Sequence, residues 1–306
     1  MFDEHGELRT FVRRHRLLFQ VIVGVIALEL ALVLYSGVWP PLYVVKSDSM
    51  QHSDVDSMFG VIDAGDLLVV RRSDGGSVRT YVECYPDGDQ SFGDYGDVII
   101  YDRYGYSFLT PVVHRAMLRV EYNESDDSFD IPSLAGLPLD KWGNGGYEEG
   151  RWWRLDRVVE IYDVGYRSAT LRVNLSSLIS YYRSSGLIHD GLITMGDHNV
   201  VYVDGEWQGV YDQSSLALCR APIKDEWIVG EASVEIPWLG LIRLYLIDGM
   251  PDRTPENSRD GLTALFLVLA TWPVIFDVTY NILRRRGWDP WAPVRTLWGR
   301  LRERLH

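Results

Sequence analysis

The sequence predicts a mainly β domain flanked by two apolar helices. Three observations carry this: an uninterrupted apolar run near the start, a second near the end, and between them short segments rich in β-branched and aromatic residues separated by turn residues. Residues 1–16 form a tail ending in Arg13, Arg14, His15 and Arg16. Residues 17–38 come next, with only Gln20, Glu29 and Ser36 clearly polar, long enough to cross a hydrocarbon core of roughly 30 Å. The stretch exceeds the h-region of a cleaved signal peptide and no A-x-A-like site comes after it, so it reads as a retained anchor.

Residues 39–260 carry the β-signal. "DLLVVRR" (66–72), "GDVIIYDR" (96–103), "VVHRAMLRVEY" (112–122), "ATLRVNL" (169–175), "GLITMGD" (191–197), "NVVYVDGEWQGVYD" (199–212) and "WIVGEASVEIP" (227–237) read as strands, and "DGEWQG" as a hairpin turn. Helical periodicity inside this region is confined to "LSSLISYYR", 175–183. Residues 261–283 form the second, weaker span, interrupted by Pro273, Asp277 and Asn281 and succeeded at once by Arg284, Arg285 and Arg286. The tail 284–306 is basic; its Arg, Trp and Leu spacing fits either an amphipathic helix on a membrane surface or a disordered segment.

Arginine clusters before the first span and after the second put both termini on the cytoplasmic side and residues 39–260 outside, in a cell membrane. In that outer segment acids outnumber bases 36 to 19, which accounts for the formal charge of −13. Lysine occurs only at Lys46, Lys141 and Lys224. An acidic, lysine-poor surface suits high salt and offers nothing to a phosphate backbone, so no nucleic-acid partner is expected. There is no Cys/His cluster with zinc spacing, no HExxH and no phosphate-cradling glycine loop, so no metal or cofactor is expected. Cys84 and Cys219 both lie in the outer segment, where a disulfide is permitted and not required.

Hydroxyl chemistry remains. A serine needs a base to take its proton, and the base needs an orienting group. Of seven histidines, His5, His15 and His306 fall on the inner side, leaving His52, His114, His189 and His198. Each of Ser49, His114 and Asp197 is ordinary by itself: a turn hydroxyl, a core imidazole, a turn former.

Their order is not ordinary. "SDSM" (47–50), "GDLLVV", "GDVIIY", "PVVHRA", "ITMGDHN", "YDQ" and "DEWIVGEASVEIPWLGLIRL" occur in a sequence that resembles the type I signal peptidases of the archaeal and endoplasmic-reticulum branch, over roughly residues 40–120 and 190–245. The resemblance implies signal-peptidase-like antiparallel sheets and a serine endopeptidase that removes signal peptides from exported preproteins after a small-x-small site; the alternatives are a catalytically inactive membrane-anchored assembly or adhesion module and a specialised protease for one surface precursor. Its partners would be preproteins at the translocation site and the lipid bilayer, with accessory subunits left open. Bacterial members use a lysine base; the matching place here holds His114-Arg115, so a Ser-His mechanism is implied. Ser49 would be the nucleophile and His114 the base, with the Ser49 amide and the Ser47 hydroxyl as oxyanion donors. The family usually has glycine between the two serines, where this chain has Asp48. Asp197 matches the "GD" aspartate and would support the site or a turn. Asp212 and Asp204 compete to complete the triad, and spacing back from Trp227 favours Asp212. Residues 121–190 exceed the family's compact linker and read as an insertion, either a partner or substrate surface or a salt-adapted embellishment, the second being favoured.

Overall fold

A computed structural model describes residues 16–73, 76–185, 189–214, 218–249 and 254–288. The basic tail from 289 onward and the first fifteen residues lie outside that set. The chain divides into two compact units, 1–258 and 259–306.

The first unit begins with helix α1, Arg16–Ser36. Its last turn is fastened to the β-domain: the Arg72 amide donates to the Ser36 carbonyl at 2.7 Å, and Tyr35 Oη lies 2.6 Å from Ser233 Oγ. The strands are β1 Leu42–Val44, β2 Leu67–Arg71, β3 Gln90–Ser91, β4 Asp94–Tyr95, β5 Val98–Tyr101, β6 Val112–Asn123 and β7 Ser128–Asp130. They continue with β8 Trp142–Gly143, β9 Val158–Val164, β10 Ala169–Asn174, β11 Gly191–Val203, β12 Glu206–Tyr211 and β13 Ile228–Ile236. Helix α2, Leu175–Ser185, joins β10 to β11.

Eleven strands form one sheet in the order β1-β2-β13-β5-β6-β11-β12-β10-β9-β8, with β7 attached to β6; β3 and β4 make a separate small ribbon. The expectation of purely antiparallel sheets is corrected here. β10 pairs with β12 in parallel, Thr170 opposite Gln208 and Leu171 opposite Gly209. A parallel pair needs a long crossover, and α2 with β11 supplies it.

β5 shows why "VIIY" has no polar alternation. Ile99 and Tyr101 face a core shared with Ala116, Leu118 and Ile193, while Val98 and Ile100 face a second core with Met50, Leu68 and Val70. A strand covered on both faces reads as a continuous apolar run. The larger core also takes in Phe129, Leu134, Leu155, Ile161, Leu171 and Leu178. Within 121–190, strands β7 to β10 and helix α2 are thus built into the sheet and its core. Of the expected "DGEWQG" hairpin turn only the first two residues make the turn: Val203 pairs with Glu206, and Asp204 and Gly205 take φ of 50° and 92°, the left-handed pair of a type I′ turn.

Helix α3, Glu256–Arg285, whose residues from Arg259 onward belong to the second unit, runs through Pro273 without a break. Segments Phe19–Ser36 and Glu256–Arg285 are each long and apolar enough to cross a membrane. Cys84 and Cys219 are buried free thiols, and burial pushes the Cys219 thiol up to about 11.

Candidate active site

The loop after β1 carries the two serines, and Met50 explains how they are held. Its side chain is fully buried in the smaller core with Val45, Ile62 and Leu68, so the residue next to Ser49 is pinned by packing. The chain beyond it is pinned by hydrogen bonds: the His198 amide donates to the Ser49 carbonyl at 2.8 Å, and the Ala64 amide donates to Gln51 Oε1 at 3.2 Å. Ser49 is left half-buried, with its hydroxyl turned toward β6 and Ser47 Oγ 3.1 Å away.

His114 lies on β6 opposite Ile99 of β5. Its Nε2 is 2.9 Å from Ser49 Oγ, and its Nδ1 is 2.8 and 2.7 Å from the two carboxylate oxygens of Asp212. Asp212 succeeds the last residue of β12, whose Tyr211 pairs with Met195. It is buried, and Oδ2 also accepts from Tyr101 Oη at 2.7 Å and Thr194 Oγ1 at 2.6 Å. Three donors around one carboxylate compensate its removal from water. Burial, reinforced by the Asp212 charge, drives the Tyr101 phenol well above its ordinary value, so it stays a donor. Ser49, His114 and Asp212 form one hydrogen-bonded chain from an accessible hydroxyl to a buried carboxylate. In such a chain the carboxylate fixes the ring orientation and Nε2 is free to take the serine proton.

Neither of the other two acids reaches His114. Asp204 is exposed in the hairpin turn. Asp197, grouped with the catalytic set from sequence, bonds not to His114 but to Arg115 and His52. Arg115 Nε and Nη2 reach its two oxygens at 2.8 and 2.6 Å, and His52 Nε2 lies at 2.9 Å. Burial alone would raise the Asp197 carboxyl, but the Arg115 guanidinium and His52 hold it below the usual carboxylate range. Arg115 is itself fully buried, and Nη1 donates to the carbonyls of Ser91 at 2.7 Å and Gly96 at 2.8 Å. This pair is a clamp: it locks β11 to the β3–β4 ribbon and leaves no uncompensated buried charge.

A β-bulge brings these groups together. Met195 pairs with Tyr211 and Val200 with Gly209, so residues 196–199 stand opposite Val210 alone. Bulges re-aim side chains at sites of this kind. Here the excess residues turn Asp197 toward Arg115 and the His198 amide toward Ser49. Gly196 sits at the crowded centre, where a Cβ would lie 2.4 Å from the Ser49 carbonyl oxygen and 2.8 Å from His114 Nε2.

A groove of about 610 Å³ opens beside Ser49 and His114, lined largely by apolar side chains, among them Leu42, Val44, Pro111 and Val113. Two strand edges border it. Among the described residues β1 pairs with β2 alone, and Val112–His114 of β6 pair only with β5, because β11 joins β6 from Arg115 onward. Unpaired edges of this kind accept an extended peptide by main-chain hydrogen bonding.

Sequence reasoning did not single out Tyr101, Thr194, Gly196 or Arg115, and left His52 and His198 without a role. Tyr101 and Thr194 do stand in the "GDVIIY" and "ITMGDHN" blocks, which is the signal that could have found them. No family model, curated protein or solved structure matches this chain.

Proposed function

We propose that the chain is a membrane-anchored serine endopeptidase using Ser49, His114 and Asp212. The observation that carries this reading is the Ser49–His114–Asp212 hydrogen-bonded chain, at 2.9 and 2.7 Å, at the mouth of an apolar groove with two open strand edges. In this reading an extended substrate lies along the edges of β1 and β6. Ser49 Oγ attacks the scissile carbonyl carbon as its proton passes to His114 Nε2, and Asp212 stabilises the imidazolium. The negative oxygen is met by the Ser49 amide and the Ser47 hydroxyl. Collapse breaks the C–N bond, His114 returns the proton to the leaving amine, and water, activated by the same ring, releases the acyl group.

More particularly, the order of motifs and the two apolar helices support a type I signal peptidase of the Ser-His branch. It would cleave preproteins after small-x-small sequences on the outer face of a cell membrane, with both termini cytoplasmic. Ser49 stands about a dozen residues beyond the end of α1, which would hold the nucleophile near the bilayer surface, where a translocated signal segment ends. The test is cleavage of a preprotein bearing such a site by membranes carrying wild type, Ser49→Ala, His114→Ala or Asp212→Ala. Loss in all three variants with product ends at the small-x-small site supports the reading. Equal cleavage by wild type and Ser49→Ala sinks it.

A further inference from the structure

The inserted segment reaches the nucleophile loop through His52 and His198. The turn between β9 and β10 is closed by the Ser168 amide on the Gly165 carbonyl at 3.1 Å and projects Tyr166 and Arg167. The Tyr166 ring stacks on His52 at 4.9 Å and 14° and lies near-parallel to His198 at 6.1 Å. Its hydroxyl sits 2.8 Å from His198 Nδ1 and accepts from Arg167 Nε at 2.9 Å. Arg167 also covers the Trp207 ring at 4.3 Å and donates to Asp54 Oδ2 at 2.9 Å.

Both histidines are tied to the Ser49 loop. His198 donates its amide to the Ser49 carbonyl, has Nδ1 3.1 Å from the Gln51 carbonyl, and has Nε2 2.9 Å from Asp54 Oδ1. His52 belongs to the loop itself and is held from its far side by Asp197. Residues 49–54 are therefore gripped between the β11 bulge and the inserted turn. Asp54 is largely exposed, so its ion pair with Arg167 is the weaker grip. The Tyr166 stack is the stronger, since it is half-buried and engages both rings.

We propose that Tyr166, supported by Arg167, is a positioning residue for the Ser49 nucleophile. It fixes His52 and His198, and through them the main chain that sets Ser49 Oγ on His114 Nε2. The insertion then has a part in the reaction without touching substrate. This inference rests on the reading of Ser49 as the nucleophile.

The experiment uses the full-length protein in detergent. It measures the rate at which a fluorophosphonate labels Ser49, the labelled fraction, and kcat and KM for a quenched peptide with a small-x-small site. The proteins are wild type, Tyr166→Phe, Tyr166→Ala, Arg167→Ala and, as a control at an exposed position of the same insertion, Glu149→Ala. Misplacement of a reacting group by a fraction of an ångström to 1 Å predicts a fall of about 10- to 100-fold in labelling rate and in kcat per labelled site for Tyr166→Ala. KM should stay within about twofold, Tyr166→Phe should recover most of the rate through the retained stack, and Glu149→Ala should match wild type. A purely structural role would lower the labelled fraction and leave the rate per site unchanged, which overturns the proposal. Should Tyr166→Ala not fold, Tyr166→Leu, which keeps bulk and loses the stack on His52, takes its place, and a wild-type rate per site in that variant overturns the proposal as well. Absence of labelling at Ser49 in wild type removes the underlying peptidase reading, and the proposal with it.

Discussion

Replacing Gly196 by alanine adds one methyl group at the point where three parts of the site converge. The new Cβ would stand 2.4 Å from the Ser49 carbonyl oxygen, 2.8 Å from Asn199 Nδ2 and 2.8 Å from His114 Nε2. Ordinary carbon-to-oxygen contact is about 3.4 Å, so the Ser49 carbonyl must retreat by about 1 Å. That carbonyl is fastened to the His198 amide and its neighbour Met50 is locked in a core, so the strain falls on the Ser49–His114 contact. A displacement of about 1 Å costs about 10²-fold in kcat, or about 2.7 kcal/mol of barrier, while overpacking costs about 1–3 kcal/mol of stability. Peptide cleavage kinetics with fluorophosphonate titration of active sites, alongside thermal melts, measure both. Activity per titrated site within twofold of wild type would refute the reasoning, because the crowding would then be relieved without moving Ser49 or His114.

Three further outcomes are expected. Asp212→Asn presents an amide where Tyr101, Thr194 and His114 all donate, and should lower kcat by about 10³- to 10⁴-fold, whereas Asp204→Asn in the exposed turn should match wild type in the same assay. Ser47→Ala should lower kcat by about 10²-fold with little change in KM if its hydroxyl meets the oxyanion; a change in KM alone would assign it to substrate binding. Burial pushes Asp66 and Glu235 up to about 7, from ordinary values of 3.8 and 4.5. The folded state then holds protons that the unfolded chain has released, so their contribution is full below about pH 4 and is lost as pH rises toward 7. Asp197 has the opposite sign, its contribution being lost only in acid. Melting temperature at constant salt should fall between pH 5 and pH 7, and Glu235→Gln should flatten that slope; an unchanged slope in the variant would remove Glu235 as a cause.

Local chemistry was legible in the sequence where a residue's neighbours in the chain are also its neighbours in space. The strands at 67–71, 98–101 and 228–236, the Asp204–Gly205 turn and helix α2 all came from alternation, β-branching or turn residues. The order of the serine, histidine and aspartate blocks was legible only through its resemblance to a known family, and the structure puts Asp212, not Asp204, beside His114. Non-local pairing was not legible. The parallel contact of β10 with β12 depends on a crossover about thirty residues long. β9, although its "VVEIYDV" alternates in burial, was lost inside a segment read as acidic embellishment. Asp197 looked like a member of the reacting set because it matches the "GD" aspartate of the resembling family. Only the bulge, whose side-chain directions depend on the partner strand, turns it toward Arg115.

The fastening of α1 bears on how this protein can be rebuilt. With Ser36 and Tyr35 bonded to Arg72 and Ser233, the helix is a strut joined to the sheet rather than a tether trailing from it. Tilting the one carries the other, and the groove with it. A chimera that swaps in a foreign helix must therefore keep the final turn, Val33 to Gly37, and rotate its new residues to match it. A version cut free of the helix at residue 37 would leave the Arg72 amide and Ser233 hydroxyl to water.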